Sequence, residues 1–197
     1  MKRKNKSIIV NLILTVFAIF FVSLIFNNSM NSSSTPPDFY GCSQEVDLEE
    51  FSDFLEEYNR TVYLPKSLPN DYELTAIYLD KQEYFIAIVV YSAELNKDYK
   101  TAELTYQISI ATSTPTCEEL TANIQNSDTE SVYEINGWPV LLNEKASSGG
   151  ESSFIDKYGE FTVLTMLWIK GIAYSINSPT LNSSQVISLI ENMSELG

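Results

Sequence analysis

The stretch Phe161 to Asn177 reads FTVLTMLWIKGIAYSIN, and its interpretation decides the fold. Two runs rich in aromatic and β-branched residues, Phe161 to Ile169 and Ile172 to Asn177, flank Lys170-Gly171, a two-residue turn. That pattern predicts a β-hairpin. Pairing Ile169 with Ile172 sets Leu167 beside Tyr174 and Thr165 beside Ile176 on one face. Leu164, Met166 and Trp168 then share the other face with small or polar Ala173, Ser175 and Asn177. The first strand is apolar on both faces, so something must cover Leu164, Met166 and Trp168. A packed helix is one cover, and a ligand groove or partner surface is the other. The closing segment, about Ser183 to Leu196, carries Val186, Leu189, Ile190 and Met193 at helical spacing, with Asn182 or Ser183 as cap, and is the expected cover.

Working outward, the same hairpin logic recurs. Val132 to Ile135 and Trp138 to Leu142 flank Asn136-Gly137, the strongest two-residue hairpin signal. In that register Pro139 faces Glu134 at a pair without ladder bonds, so the Trp138 strand is expected to be an edge there. Tyr72 to Leu79 and Tyr84 to Ser92 form a hairpin across Asp80 to Glu83, and Glu103 to Ala111 adds a strand with one buried face. Thr116 and Glu119 have capping-box spacing and open a short helix through about Gln125. Gln44 to Tyr58 reads as an amphipathic helix with Leu48, Phe51, Phe54, Leu55 and Tyr58 on its apolar stripe. The carboxylates on its other face splay too far for a calcium loop and read as solvated. Pro65 and Pro69 limit regular structure over 61–72, and Glu144 to Ser153, containing Gly149-Gly150, reads as a loop. The fold class expected is α+β, a curved antiparallel sheet of about six to eight strands with helices packed on one face.

Length and composition frame this domain. The chain has 197 residues, 44% of them hydrophobic and 19% charged, enough for one ordinary domain plus an appendage. Residues 1–6 hold four basic side chains, Lys2, Arg3, Lys4 and Lys6, and the remaining 8 basic against 26 acidic residues carry −18. Outside the head, a nucleic-acid or anionic-membrane surface is therefore not expected, because phosphate binding needs clustered Lys and Arg. The absence of histidine removes imidazole acid–base catalysis, Ser-His-Asp and Cys-His systems, and imidazole zinc sites. No opposed carboxylate pair of the kind glycoside hydrolysis needs is evident, so no enzyme, cofactor or metal is expected.

Ser7 to Phe26 is a 20-residue run without a charge, long enough at about 1.5 Å per residue to span a hydrocarbon core. The basic head precedes it, which predicts an N-in, C-out signal anchor. Its length and the absence of a small-x-small site disfavour a cleaved signal peptide. Residues 27–41, Ser/Asn-rich and broken by Pro36-Pro37, read as a flexible stalk, and 42–197 as the extracytoplasmic domain. On that side the environment permits a Cys42–Cys117 disulfide, and the pair reads as that staple or as two inert thiols, since a Cys nucleophile has no histidine base here. Acceptor triplets for glycosylation stand at Asn27, Asn31, Asn59, Asn182 and Asn192.

Several of these motifs together resemble a family. Leu64-Pro65, Leu68-Pro69, Tyr72-Glu73-Leu74, Ile135-Asn136-Gly137, Leu167-Trp168-Ile169, the run Gly171 to Ile176 and the helix from Val186 to Met193 are similar to an extracytoplasmic domain-of-unknown-function family, number 4367 in that series. It is similar in outline to half-barrel lipoprotein-carrier-like domains. The resemblance spans about residues 61–195 and implies a domain behind a single membrane helix, with no catalytic residue to transfer. Residues 42–58 and the Cys117 helix have no counterpart in it.

The functional expectation is a membrane-anchored, non-enzymatic binding or sensing module, whose apolar face at Leu164, Met166 and Trp168 meets an envelope protein or a hydrophobic ligand. The alternative is a structural cell-surface protein associating through its acidic face with cell-wall polymer or cations.

Overall fold

The computed structural model describes residues 44–69, 71–80, 86–124, 127–148 and 152–196. The candidate membrane span, the stalk and Cys42 lie outside them. Among the described residues no helix is long and apolar enough to cross a membrane.

Among the described residues ten strands and four helices follow one another as β1 (Gln44–Val46), α1 (Leu48–Glu57), β2 (Val62–Pro65), β3 (Glu73–Asp80), β4 (Ile86–Ser92), β5 (Leu104–Ile110), α2 (Cys117–Asn123), β6 (Glu130–Ile135), β7 (Trp138–Ser147), α3 (Ser152–Tyr158), β8 (Phe161–Ile169), β9 (Ile172–Ser178), α4 (Ser183–Glu191) and β10 (Met193–Leu196). Eight strands make one antiparallel sheet in the order β1-β3-β4-β5-β9-β8-β7-β6, and β2 pairs with β10 in a second, two-stranded sheet. The class is α+β.

Both two-residue turns form. Asn136 and Gly137 take φ of 54° and 78°, and Lys170 and Gly171 take 49° and 82°, the left-handed pair whose twist matches the flanking strands. Ile169 pairs with Ile172, Leu167 with Tyr174 and Thr165 with Ile176, the register that the alternation dictates. Along β9 buried and half-buried side chains alternate without a break.

The main core lies on one face of the large sheet. Ile77, Val89, Tyr106, Ile176, Leu167 and Val140 from the strands meet Phe51, Phe54 and Leu55 of α1, Val62, Leu64 and Met193 of the small sheet, and Val186, Leu189 and Ile190 of α4. Burying each of the larger side chains is worth about 1.5–3 kcal/mol. A backbone tie accompanies the packing, with Tyr63 N–H donating to the Tyr174 hydroxyl at 2.8 Å. A smaller cluster of Ala76, Tyr78, Ile88, Val90 and Ala102 occupies the opposite face of β3 and β4, with Tyr99 against it.

Several elements differ from the sequence reading. The segment 44–58 is a strand followed by a helix, because Asp47 caps at that point: its carboxylate accepts from Glu50 N–H while Glu50 reaches back to Asp47 N–H. Leu48 and Tyr58 are exposed, leaving Phe51, Phe54 and Leu55 as the buried stripe. The last segment is not one helix to Leu196. It stops at Glu191, with Asn192 Nδ2 capping the Ser188 carbonyl, and 193–196 pair with β2, whose Pro65 was read as a limit on regular structure. A proline is tolerated there because β2 belongs to a two-stranded sheet, and every strand of such a sheet is an edge. Residues 144–147, read as loop, extend β7, with a register shift between Asn143 and Ala146, and α3 follows from Ser152. β7 is an inner strand. The edge expectation holds only for Trp138 and Pro139, since the β7–β8 ladder starts at Val140, one residue beyond the proline that lacks an N–H.

Candidate functional site

The side chains of the candidate apolar binding face, Leu164, Met166 and Trp168, are on the second face of β8. α4 contributes Val186, Leu189 and Ile190 to the cluster that holds Leu167 and Ile169, which places it on the face of the odd-numbered β8 residues. The expected cover of Leu164, Met166 and Trp168 by this helix is thus corrected: period-two alternation aims those three away from it. All three are half-buried.

The register sets their neighbours. One row across the sheet runs Gln107, Ser175, Met166, Leu141 and Val132, and the next runs Ser109, Ala173 and Trp168. By register, the short Ala173 and Ser175 of β9 form a trough of low side chains between Met166 and Trp168 of β8 and the polar Gln107 and Ser109 of β5. At the end of the trough Thr162 Oγ1 donates to Asn177 Oδ1 at 2.6 Å. Leu141 joins the apolar wall although sequence reasoning missed it. Its outward direction followed from the Asn136-Gly137 hairpin, but which strand would lie beside β8 did not.

The opposite face is chemically closed. Tyr106 and Thr165 are fully buried there, and their hydroxyls have no hydrogen-bond partner among the described residues. Burial pushes the hydroxyls of Tyr91, Tyr106 and Tyr174 well above the ordinary tyrosine value.

Two shallow depressions lie elsewhere. One, about 200 Å³, is bounded by Leu68, Pro69, Gln185, Leu189 and Asn192. The other, about 260 Å³, has Glu50, Asp53 and Glu57 beside the rings of Phe54 and Tyr58, 4.6 Å apart. Among the described residues no group of three or more acidic, cysteine or histidine side chains is placed to hold a metal.

The remaining sequence candidates scatter. Cys117 carries a free thiol at the start of α2, 3.5 Å from the Tyr133 carbonyl of β6, one margin of the large sheet. Cys42, its expected partner, lies outside the described residues. Asn59, Asn182 and Asn192 are exposed. Asn182 Oδ1 accepts from Gln185 N–H and Ser184 Oγ, and Asn192 Nδ2 is spent on Ser188. Asn27 and Asn31 lie outside the described residues.

No protein-family model, no curated protein and no solved structure matches this chain.

Proposed function

We propose that the chain is a membrane-anchored, extracytoplasmic, non-enzymatic binding or sensing module whose ligand lies in the trough beside Leu164, Met166 and Trp168. One observation carries this reading: a β-strand apolar on both faces has only one face in the main core. Covering what remains exposed of three such side chains is worth on the order of 3 kcal/mol. Association costs about 4–15 kcal/mol, so an apolar contact alone does not hold a ligand. The ligand must also use the polar side of the trough, Gln107, Ser109 and Ser175, which favours an amphiphile or an envelope protein segment over a plain hydrocarbon. The uncharged run Ser7 to Phe26 behind a basic head supports the N-in anchor, and the hairpins at Asn136-Gly137 and Lys170-Gly171 support kinship with the extracytoplasmic family named above.

Native mass spectrometry of the detergent-extracted full chain tests the reading. The expected result is a retained adduct that Met166→Glu abolishes. An adduct-free wild type, or an adduct indifferent to that change, would remove the support.

A second reading is favoured by the acidic depression on α1 and the −18 charge outside the head. In it the domain is structural and associates with cell-wall polymer through bridging cations. Association that collapses on chelation or in high salt, and ignores Met166→Glu, would favour it.

A further inference from the structure

At the end of the sheet opposite the two hairpin turns, one polar group is out of place. Glu103 directly precedes β5 and is 5% exposed, yet its Oε2 has no hydrogen-bond partner among the described residues. Its carbonyl is well served, accepting from Ser178 Oγ at 2.7 Å and Thr180 Oγ1 at 3.4 Å. Thr180 shares a 2.5 Å hydrogen bond with the Tyr72 hydroxyl. Tyr158, at the end of α3, brings a second buried hydroxyl, with the Lys157 ammonium beside it. The charge of Glu103 helps to raise both tyrosines, after burial itself.

The nearby cation is already committed. Lys157 Nζ is 2.6 Å from Glu94 Oε2 and lies over the Tyr158 ring, 4.8 Å from its centre. Lys157 pairs with Glu94, and the buried Glu103 carboxyl is in no ion pair among the described residues. A carboxylate placed there is costly unless paired, and water supplies hydrogen bonds but no counter-charge. A group placed between Glu103 Oε2 and the Tyr158 hydroxyl must donate to or coordinate the first and meet the second. Thr180 is exposed, which makes the way in from solvent short. Tyr106 and Thr165 also carry unpartnered hydroxyls, but they are neutral and sealed among apolar side chains, so they ask for no charge.

The geometry points to a site for a small monovalent cation, an alkali ion or a primary ammonium, held by the Glu103 carboxylate with the hydroxyls of Tyr158, Tyr72 and Thr180. It does not depend on the function proposed for the second face of β8. The site joins the start of β5, the end of α3 and the turn after β9, so its occupancy steadies all three.

Thermal melts of the full chain in detergent, at one ionic strength, test it with sodium, potassium, ammonium and methylammonium chlorides against tetramethylammonium chloride as the oversized control. The melting temperature should rise by several degrees with at least one small cation, saturably, and the midpoint should shift at least tenfold or vanish in Glu103→Gln. Gln fills the same volume, and a near-UV circular dichroism spectrum like that of the wild type shows that the variant folds. Tyr158→Phe should weaken the response without abolishing it. A response limited to potassium or sodium assigns an alkali ion, and one limited to ammonium and methylammonium assigns an ammonium group. Equal melts in all five salts, or a response that survives in Glu103→Gln, would overturn the proposal. So would a Glu103→Gln chain that is more stable than wild type and blind to every cation, because the carboxyl would then be held neutral by a proton.

Discussion

At the scale of single residues, the core carries two hydroxyls that cost stability. Thr165 and Tyr106 are completely buried without partners among the described residues. A buried unsatisfied polar group costs about 1–3 kcal/mol. Thr165→Val keeps the shape and removes the hydroxyl, so it should raise stability by about 1 kcal/mol, read as a higher urea midpoint at unchanged slope. A lower midpoint would mean that the hydroxyl has a partner. Turn residues give the opposite sign. A Cβ on Gly171 meets open space, so Gly171→Ala is penalised only by its φ of +82°, an expected loss of about 1–2 kcal/mol. A neutral result in the same denaturation would show that the hairpin tolerates a different turn.

At the scale of elements, the two faces of β8 should respond differently to equal damage. Leu167→Ala opens a cavity among Tyr174, Val140 and the α4 side chains and should cost about 2–5 kcal/mol. Met166→Ala, on the half-buried face, should cost under about 1.5 kcal/mol. Similar losses for both would mean that the second face is as closed as the first. Elements long enough to show a period were legible in the sequence. β3, β4, β5, β8 and β9 announce themselves by alternation or by unbroken apolar runs, and the hairpin register at Ile169 and Ile172 followed from Lys170-Gly171. β1, β2 and β10 did not, since strands of three or four residues hold too little pattern and depend on partners far along the chain, as Val62 does on Leu196. The β7 extension through Glu144 and Lys145 was hidden by its charges, and α3 by the loop signals before it. The apolar trough was legible as Leu164, Met166 and Trp168. Its closing helix was assigned to the wrong side because a helical stripe says what it buries but not which face of a sheet it meets. The Glu103 site was illegible, as burial of one carboxylate is decided by β9, α3 and the turn after β9 together.

At the scale of the whole molecule, ionisation and cysteine chemistry report on the global arrangement. Tyr91, Tyr106 and Tyr174 are held in the neutral form by burial, above the unfolded value of 10.0. Their contribution is complete below about pH 10 and is lost as pH rises beyond it, because the unfolded chain ionises first. Three such groups steepen the loss to at most about 4 kcal/mol per pH unit. A chain that already carries −14 should therefore unfold cooperatively above pH 10, with tyrosinate absorbance appearing in the same step, and Tyr106→Phe should make that step shallower. Gradual ionisation without unfolding would contradict the buried placement. Cys117, free in the structure and set at the sheet margin opposite β1, should alkylate in the folded, unreduced chain. A thiol that reacts only after reduction would show that it is bridged.

The second face of β8 is tested most directly by photo-crosslinking in intact cells that express the chain. Benzoylphenylalanine is placed in turn at 164, 166 and 168 of the full-length protein, and at the exposed Ile155 of α3 as the control. The account predicts one discrete adduct, shared by the three β8 positions and absent from the control. The same products from position 155, or none from the three, would contradict it.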